Sequence, residues 1–304
     1  MPFEKRSSKL NKGLFVGLTT LDIIYLSPQF PQPNQKIVAT DCTMAAGGPA
    51  TNAAVTFAYL GNETHLLAVL GQHPLSNLIK TDLASYKVNI QDLQPDKTTP
   101  PPLSSTITTQ GTGERAVISL NAVKSQAFPQ KNPPGILDGI KIILIDGHQI
   151  AVSIAIASEA KNRGIPVVMD GGSWKPGLEK VLPFIDYAIC SANFYPPHCH
   201  DQQDIWDYLL AAGIKNIVIT QGEKPIEYMT SGKKGTIEVP TITPVDTLGA
   251  GDIFHGAFTH YILQNNFSNS LTAAAKIASQ ACQSFGTRIW MGEARVDRDL
   301  NGEG

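Results

Sequence analysis

No apolar run in this 304-residue sequence approaches the roughly 20 residues that a membrane-spanning helix needs. Nor does an apolar segment follow the polar, basic start MPFEKRSSKLNKG, as it would in a secretory leader. Cysteine is scarce. Cys42, Cys190, Cys199 and Cys282 are widely spaced and form neither a disulfide framework nor a zinc-ligand pattern, so we expect reduced thiols in the cytoplasm. An excess of charge of one sign is also missing. With 24 basic against 26 acidic side chains and a formal net charge of -2, the chain has no general attraction for nucleic acid or for an anionic membrane surface. Hydrophobic residues, by contrast, make up 42%, enough for a large core. One big domain over residues 13–295 is expected, with residues 1–12 and 296–304 as flexible tails.

From about residue 136 short apolar runs alternate with helical patterns. IKIILID (Ile140 to Asp146), IPVVMD (Ile165 to Asp170), YAICSAN (Tyr187 to Asn193) and NIVITQG (Asn216 to Gly222) read as strands buried on both faces. AVSIAIASEAKNRG and DIWDYLLAAG read as helices that stop at Gly164 and Gly213. This alternation predicts an α/β fold: a doubly wound, mostly parallel sheet with helices on both faces. Each strand ends in polar or small residues, and in such sheets ligands bind outside the carboxyl ends of the strands. Earlier in the chain, GLFVGLTTLDIIYL runs from a core strand into something else. AGGPATNAAVTFAYLG opens with glycines and becomes a helix ending at Gly61, and HLLAVLG reads as a further core strand. Two segments of β character without crossover helices, about 19–44 and 98–121, predict a small β-sheet that serves as a lid. The second includes SSTITTQGTGERAVISL, a hairpin turning at GTG.

The stretch DTLGAGDIFHGAF, from Asp246 to Phe258, has glycines at phosphate-loop spacing. It is not a Walker loop, because Ala257 and Phe258 stand where Lys and Ser or Thr are needed, and it has no third glycine for a dinucleotide fingerprint. Read as a loop entering a helix, it offers another way to hold an anion. Gly249, Ala250 and Gly251 let a ligand approach the backbone, and the amides at the helix start carry the positive end of the helix dipole. Asp252 falls in the first turn. The same field favours its ionised form, a carboxylate able to take a proton from a hydroxyl; a plain helix-capping carboxylate is the alternative.

VDTLGAGDIFHGAF resembles the second signature of the ribokinase-like (PfkB) carbohydrate kinases, and AGGPATNAAVTFAYLG resembles the first. They stand about 200 residues apart in the family's order, so the resemblance covers nearly the whole chain. It implies an α/β core with a β lid, and ATP-dependent phosphorylation of an alcohol group on a sugar, with ATP, Mg2+ and in some members K+ as cofactors. By the same resemblance Asp252 is the general base, and Gly249, Ala250 and Gly251 form the anion hole. Asp22, Gly47, Gly48 and Asn52 bind substrate, Thr220 and Gly222 lie on the nucleotide side, and Asp246 and Thr247 belong to a monovalent-cation site. The GGPA stretch resembles that of a sulfofructose kinase-type member, whereas ketohexokinase-like members tend to carry Asn where Pro49 stands; a ketose-like substrate is expected. One departure is plain: an Asn-x-x-Glu motif in many members is here Asn193-Phe194-Tyr195-Pro196, without the glutamate. Another is Pro225, where a glycine is common.

Arg115, on the lid hairpin, has two readings, a contact to an anionic group of substrate or nucleotide and a solvated edge-strand charge. His255, one turn after Asp252, reads as a packed helix histidine that could face the site. His148 lies at a strand tip, where ligand contact is open. His198, Cys199 and His200 are adjacent and cannot readily converge on one ion. Two other functions stay in view. A nucleoside kinase of the same superfamily would set Tyr25 or Phe30 against a base, and a catalytically weak sugar sensor fits the missing glutamate. A homodimer through lid edges is a further expectation.

Overall fold

The computed structural model describes residues 10–120, 126–127 and 133–292. The run GLFVGLTTLDIIYL divides into two strands that belong to different sheets. β1 (Lys12–Val16) enters the core and β2 (Thr20–Ser27) starts the lid. The break falls at Gly17, where a Cβ would lie 2.1 Å from the Asp146 carboxylate. That carboxylate is 1% exposed and accepts from Leu18 N at 2.8 Å and Ala50 N at 3.1 Å, pinning the exit from β1 to the start of the first helix.

After β2 come β3 (Asp41–Gly47), α1 (Pro49–Tyr59), β4 (Glu63–Ala68), α2 (Pro74–Ser85) and β5 (Val88–Asp92). The lid hairpin β6 (Leu103–Thr109) and β7 (Arg115–Ser119) follows. β8 (Ile142–Ile145), α3 (Ile150–Asn162), β9 (Val167–Gly171), β10 (Tyr187–Ser191), α4 (Gln202–Ala211) and β11 (Asn216–Gln221) continue the alternation. The chain then forms β12 (Lys224–Thr230), β13 (Lys233–Ile237), α5 (Ala250–Tyr261) and α6 (Phe267–Ala281).

The core sheet has the order β13-β12-β11-β10-β9-β8-β1-β4-β5. It is parallel from β11 to β5, while β12 and β13 pair antiparallel at one edge. Its strands are apolar without alternation because both faces are covered. Phe15 joins α1, α5 and α6 on one side, and its neighbours Leu14 and Val16 join α3 and α4 on the other. Pro225, Lys233 and Lys234 lie exposed on the antiparallel edge pair, residues that discourage further pairing.

The small sheet has the order β3-β2-β6-β7, with β2 and β6 parallel and the outer pairs antiparallel. The expected lid and hairpin are both present. α2, α6, β5 and the β12–β13 hairpin lie outside the elements read from the sequence. β1 begins at Lys12, inside the expected N-terminal tail. Residues 1–9 and 293–304, where the tails otherwise fall, and lid residue 121 lie outside the described residues.

Candidate active site

Gly249 caps α5 with φ +72°, a left-handed conformation that favours glycine. A Cβ there would lie 2.9 Å from Thr287 Cγ2, so the turn is also tight. Beyond it Gly251 is exposed, with no atom within 4 Å of where a Cβ would project. Ala250 N donates to Thr247 O at 3.3 Å, while the amides of Gly251 and Asp252 have no intrahelical acceptor and lie at the positive end of the helix dipole. These residues fit the phosphates of a nucleoside triphosphate.

The carboxylate of Asp252 is fixed by helix packing. Gly256, one turn on, lets α5 lie directly against α1: a Cβ on it would come within 2.4 Å of Ala53 O and 2.8 Å of Thr56 Cβ. The close approach carries Asn52, 3% exposed, to Asp252, and Asn52 Nδ2 donates to Asp252 Oδ2 at 2.8 Å. Burial, and next the nearby charge of Asp170, push the Asp252 carboxyl up to about 7, against the lowering effects of Asn52 and His255. This corrects the expectation that the helix field alone keeps it ionised. The side chain retains a partly open face although protein surrounds most of it, and desolvation outweighs the dipole. His255 is buried, as a packed histidine should be. Its Nδ1 is 2.6 Å from Gly251 O and 3.4 Å from Asp170 Oδ2, and its Nε2 is 3.1 Å from Ile189 O.

Asp22 lies at the root of the lid, 7% exposed. Burial raises its pKa against hydrogen bonds from Thr20 and Ser104 and the charge of Arg288; Thr20 Oγ1 donates to Oδ1 at 2.6 Å. A Cβ on Gly47 would stand 1.9 Å from Asp22 Oδ2. The space that this glycine leaves is therefore filled by the Asp22 carboxylate. Gly48, at φ +99°, turns the chain from β3 into α1 against Leu18 O.

Arg115 reaches from the lid hairpin to the loop before α5. Its guanidinium donates to Thr247 Oγ1, and the turn beside it at Gly113 lies against Val245, so the lid hairpin rests on the loop that leads into α5. Asp246, 2% exposed, accepts from Leu248 N at 2.9 Å and Gly286 N at 3.0 Å. The charge of Arg115 also reaches the neighbouring Cys282 thiol, which burial and Asp246 push up to about 11. Both carboxylate oxygens of Asp246 thus accept from backbone amides, and the Arg115 guanidinium stands beside Thr247.

Thr220 is the last residue but one of β11, and Gly222, φ +67°, makes the turn into β12. His148 is largely enclosed, its pKa lowered chiefly by burial. Among the described residues no group of three or more His, Cys, Asp and Glu side chains could hold a metal, which includes His198, Cys199 and His200. A magnesium ion carried on nucleotide phosphates would keep several of its waters and would not require such a group.

Arg288 escaped the sequence reading. It stands next to Thr287 beside Gly249, and its Nη1 donates to Asn52 Oδ1 at 3.0 Å. A signal was there: one cation inside SFGTRIWM, where Phe285, Trp290 and Met291 are all buried.

The fold is α/β, and the glycine-capped start of α5 brings the Asp252 carboxylate beside Asn52. The description "pfkB family carbohydrate kinase" matches residues 11–293, and the chain belongs to this family. It is a phosphotransferase, a kinase acting on sugars or nucleosides. The deoxyribokinase of Salmonella typhi is 25% identical over 281 residues, covering 86% of this chain and 88% of its own. The ribokinase of Bacillus subtilis is 21% identical, covering 90% and 93%. The nucleoside kinase of Methanocaldococcus jannaschii is 25% identical, covering 91% and 93%. Among solved structures, Arabidopsis thaliana ribokinase complexed with ribose and ATP has the same fold, with a TM-score of 0.75 and 22% identity over 97% of this chain and 99% of that one. Ribokinase-type kinases use ATP and Mg2+. Among the described residues no helix is long and apolar enough to cross a membrane.

Proposed function

We propose that this kinase transfers the γ-phosphoryl group of ATP to a hydroxyl of a small sugar, with Asp252 as general base. The observation that carries the reading is the Asn52–Asp252 hydrogen bond at 2.8 Å, set at the start of α5 in front of the open space at Gly251. Asn52 engages one carboxylate oxygen and leaves the other for the substrate's proton. ATP with Mg2+ supplies the phosphoryl group and part of the charge neutralisation. The amides of the Gly249–Ala250–Gly251 loop and of the first turn of α5 hold the negative charge that develops on it. Asp22, seated in the notch of Gly47 beside Gly48, accepts from sugar hydroxyls and orients the ring. Thr220 and Gly222 lie toward the nucleotide. The four cysteines are free thiols, which fits a cytoplasmic enzyme.

A ketose-like substrate follows from the GGPA stretch, and the names of the ribokinase and deoxyribokinase relatives favour pentoses as its closest competitors. A nucleoside is the second reading, supported by Tyr25, 38% exposed on the lid, and by the nucleoside kinase relative. ADP release measured with ketoses, pentoses, deoxyribose and nucleosides separates them. The expected result is the highest kcat/KM on a ketose. A pentose preference overturns the ketose assignment, and turnover of nucleosides alone overturns the sugar reading.

No step runs through a monovalent cation, because Arg115 supplies the positive charge beside Thr247. Replacing K+ by choline is expected to change the rate of the wild type less than about twofold, and Arg115→Ala to slow the reaction in either salt. A rate that rises steeply with K+ in the wild type would overturn this. The lid exposes Met44, Val117 and Ile118, the last 75% exposed, and we place a homodimer contact there; light scattering that gives a monomer at every concentration would exclude it.

A further inference from the structure

The Asn52 side chain has two ends of nearly equal shape and opposite chemistry, and each meets a charge. Its NH2 faces the Asp252 carboxylate at 2.8 Å and its oxygen faces the Arg288 guanidinium at 3.0 Å. Turned over, the amide would set an oxygen against the carboxylate and an NH2 against the guanidinium, and both contacts would repel. Without the guanidinium only one of the two charges still opposes that turn.

Arg288 is held as firmly as it holds. Nη1 also donates to Thr287 O at 3.2 Å and to Thr287 Oγ1 at 3.0 Å. Nη2 donates to Ala46 O at 2.5 Å and lies 3.5 Å from Asp82 Oδ2, and the guanidinium sits 5.5 Å from the centre of the Tyr86 ring. Asp82 in turn accepts from Ala46 N at 2.9 Å. Ala46 is thus gripped at both its N–H and its C=O, and it is the residue before Gly47, against which the Asp22 carboxylate rests. One guanidinium joins the root of the lid, beside Asp22, to the amide that holds Asp252.

An arginine in this place carries an energetic penalty. Its side chain is 11% exposed, and Nε is buried without a hydrogen-bond partner among the described residues, which is costly. Exchanging a whole buried ion pair for apolar side chains often costs little, whereas removing one partner alone is destabilising. We propose that Arg288 is a positioning residue for phosphoryl transfer: it sets the direction of the Asn52 amide, and through it the place of the Asp252 carboxylate, while fixing β3 beneath Asp22. This rests on the reading of Asp252 as the base.

The test compares Arg288→Met, Arg288→Lys, Asn52→Ala and Asp252→Asn with the wild type, on the sugar that turns over best. The measured quantities are kcat, KM for sugar and for ATP, the pH profile of kcat/KM, and Tm. Arg288→Met is expected to lower Tm, because Asp82 and the acceptors of the guanidinium lose a buried partner, to keep its KM for ATP within about twofold, and to lose about 10²-fold in kcat, the scale of a misplaced reacting group. Its acid limb should move to higher pH as Asp252 loses the Asn52 donor. Combined with Asn52→Ala, the loss should be far from additive, because both changes break one chain of contacts. Arg288→Lys keeps the charge without the fork, and is expected to fold and to lose kcat by about tenfold; it carries the test if the Met variant does not fold. Arg288 variants with wild-type kcat and an unmoved acid limb, while Asp252→Asn is inactive, overturn this inference alone. An active Asp252→Asn overturns the base assignment beneath it.

Discussion

Asp252→Asn is expected to lower kcat by about 10²–10⁴-fold, the range for losing a general base, with KM for sugar and ATP changed little. Asn keeps the shape and can still accept from Asn52 through its amide oxygen, so the loss reports proton acceptance. In the wild type, kcat/KM should climb with pH through about 7, where the Asp252 carboxyl titrates under burial and the Asp170 charge. The same substitution should stabilise the protein in alkaline buffer. The unfolded carboxyl titrates near 3.8 and the folded one at about 7, so the folded chain retains an extra proton between them. Stability then falls as pH rises across that interval and is lowest above it, where the base is ionised and active. Melting curves should place Asp252→Asn above the wild type at pH 8, with the difference fading at pH 5. Equal melting points at both would show that Asp252 carries no such burden.

Gly256→Val is expected to have the largest effect on stability. A helix interior ordinarily gains from losing glycine, by at most about 1 kcal/mol. Here the first added carbon would stand 2.4 Å from the Ala53 carbonyl oxygen, and that is backbone that cannot swing aside. Overpacking costs about 1–3 kcal/mol, occasionally more, so the clash outweighs the propensity. The helices must part, and any such parting draws Asn52 from Asp252. Urea unfolding should show a lower midpoint, and the folded fraction should show a kcat reduced by about 10²-fold. A variant with unchanged midpoint and rate would mean that α1 and α5 are not held in register at this glycine.

Much of the core was legible. The strands β8 to β11 run apolar because both faces are covered, and Gly164 and Gly213 end their helices with positive φ, so local composition and tertiary role agree. The lid was legible for a different reason: β6 and β7 alternate around a glycine turn and lie on a sheet of their own. α2 and α6 were less so. Their faces are defined by what packs on them, and α6 buries small residues such as Ala274 and Ala275 that announce no core.

The site divides in the same way. Loop chemistry is local, so DTLGAGD revealed a helix start able to hold an anion and a carboxylate beside it without any knowledge of the rest of the chain. The place of Arg115 was not local: it donates to Thr247, 132 residues away in sequence. The protonation of Asp252 was not local either, since burial and Asp170 decide it. Arg288 lies 236 residues from Asn52, and its sequence context says only that a cation stands among apolar neighbours. The sequence by itself determined the doubly wound core and the lid, because each is written in short-range pattern. Only the tertiary structure decided which charges face one another. Electrostatic energy depends on distance and desolvation, and both are set by helices packing across the whole length of the chain.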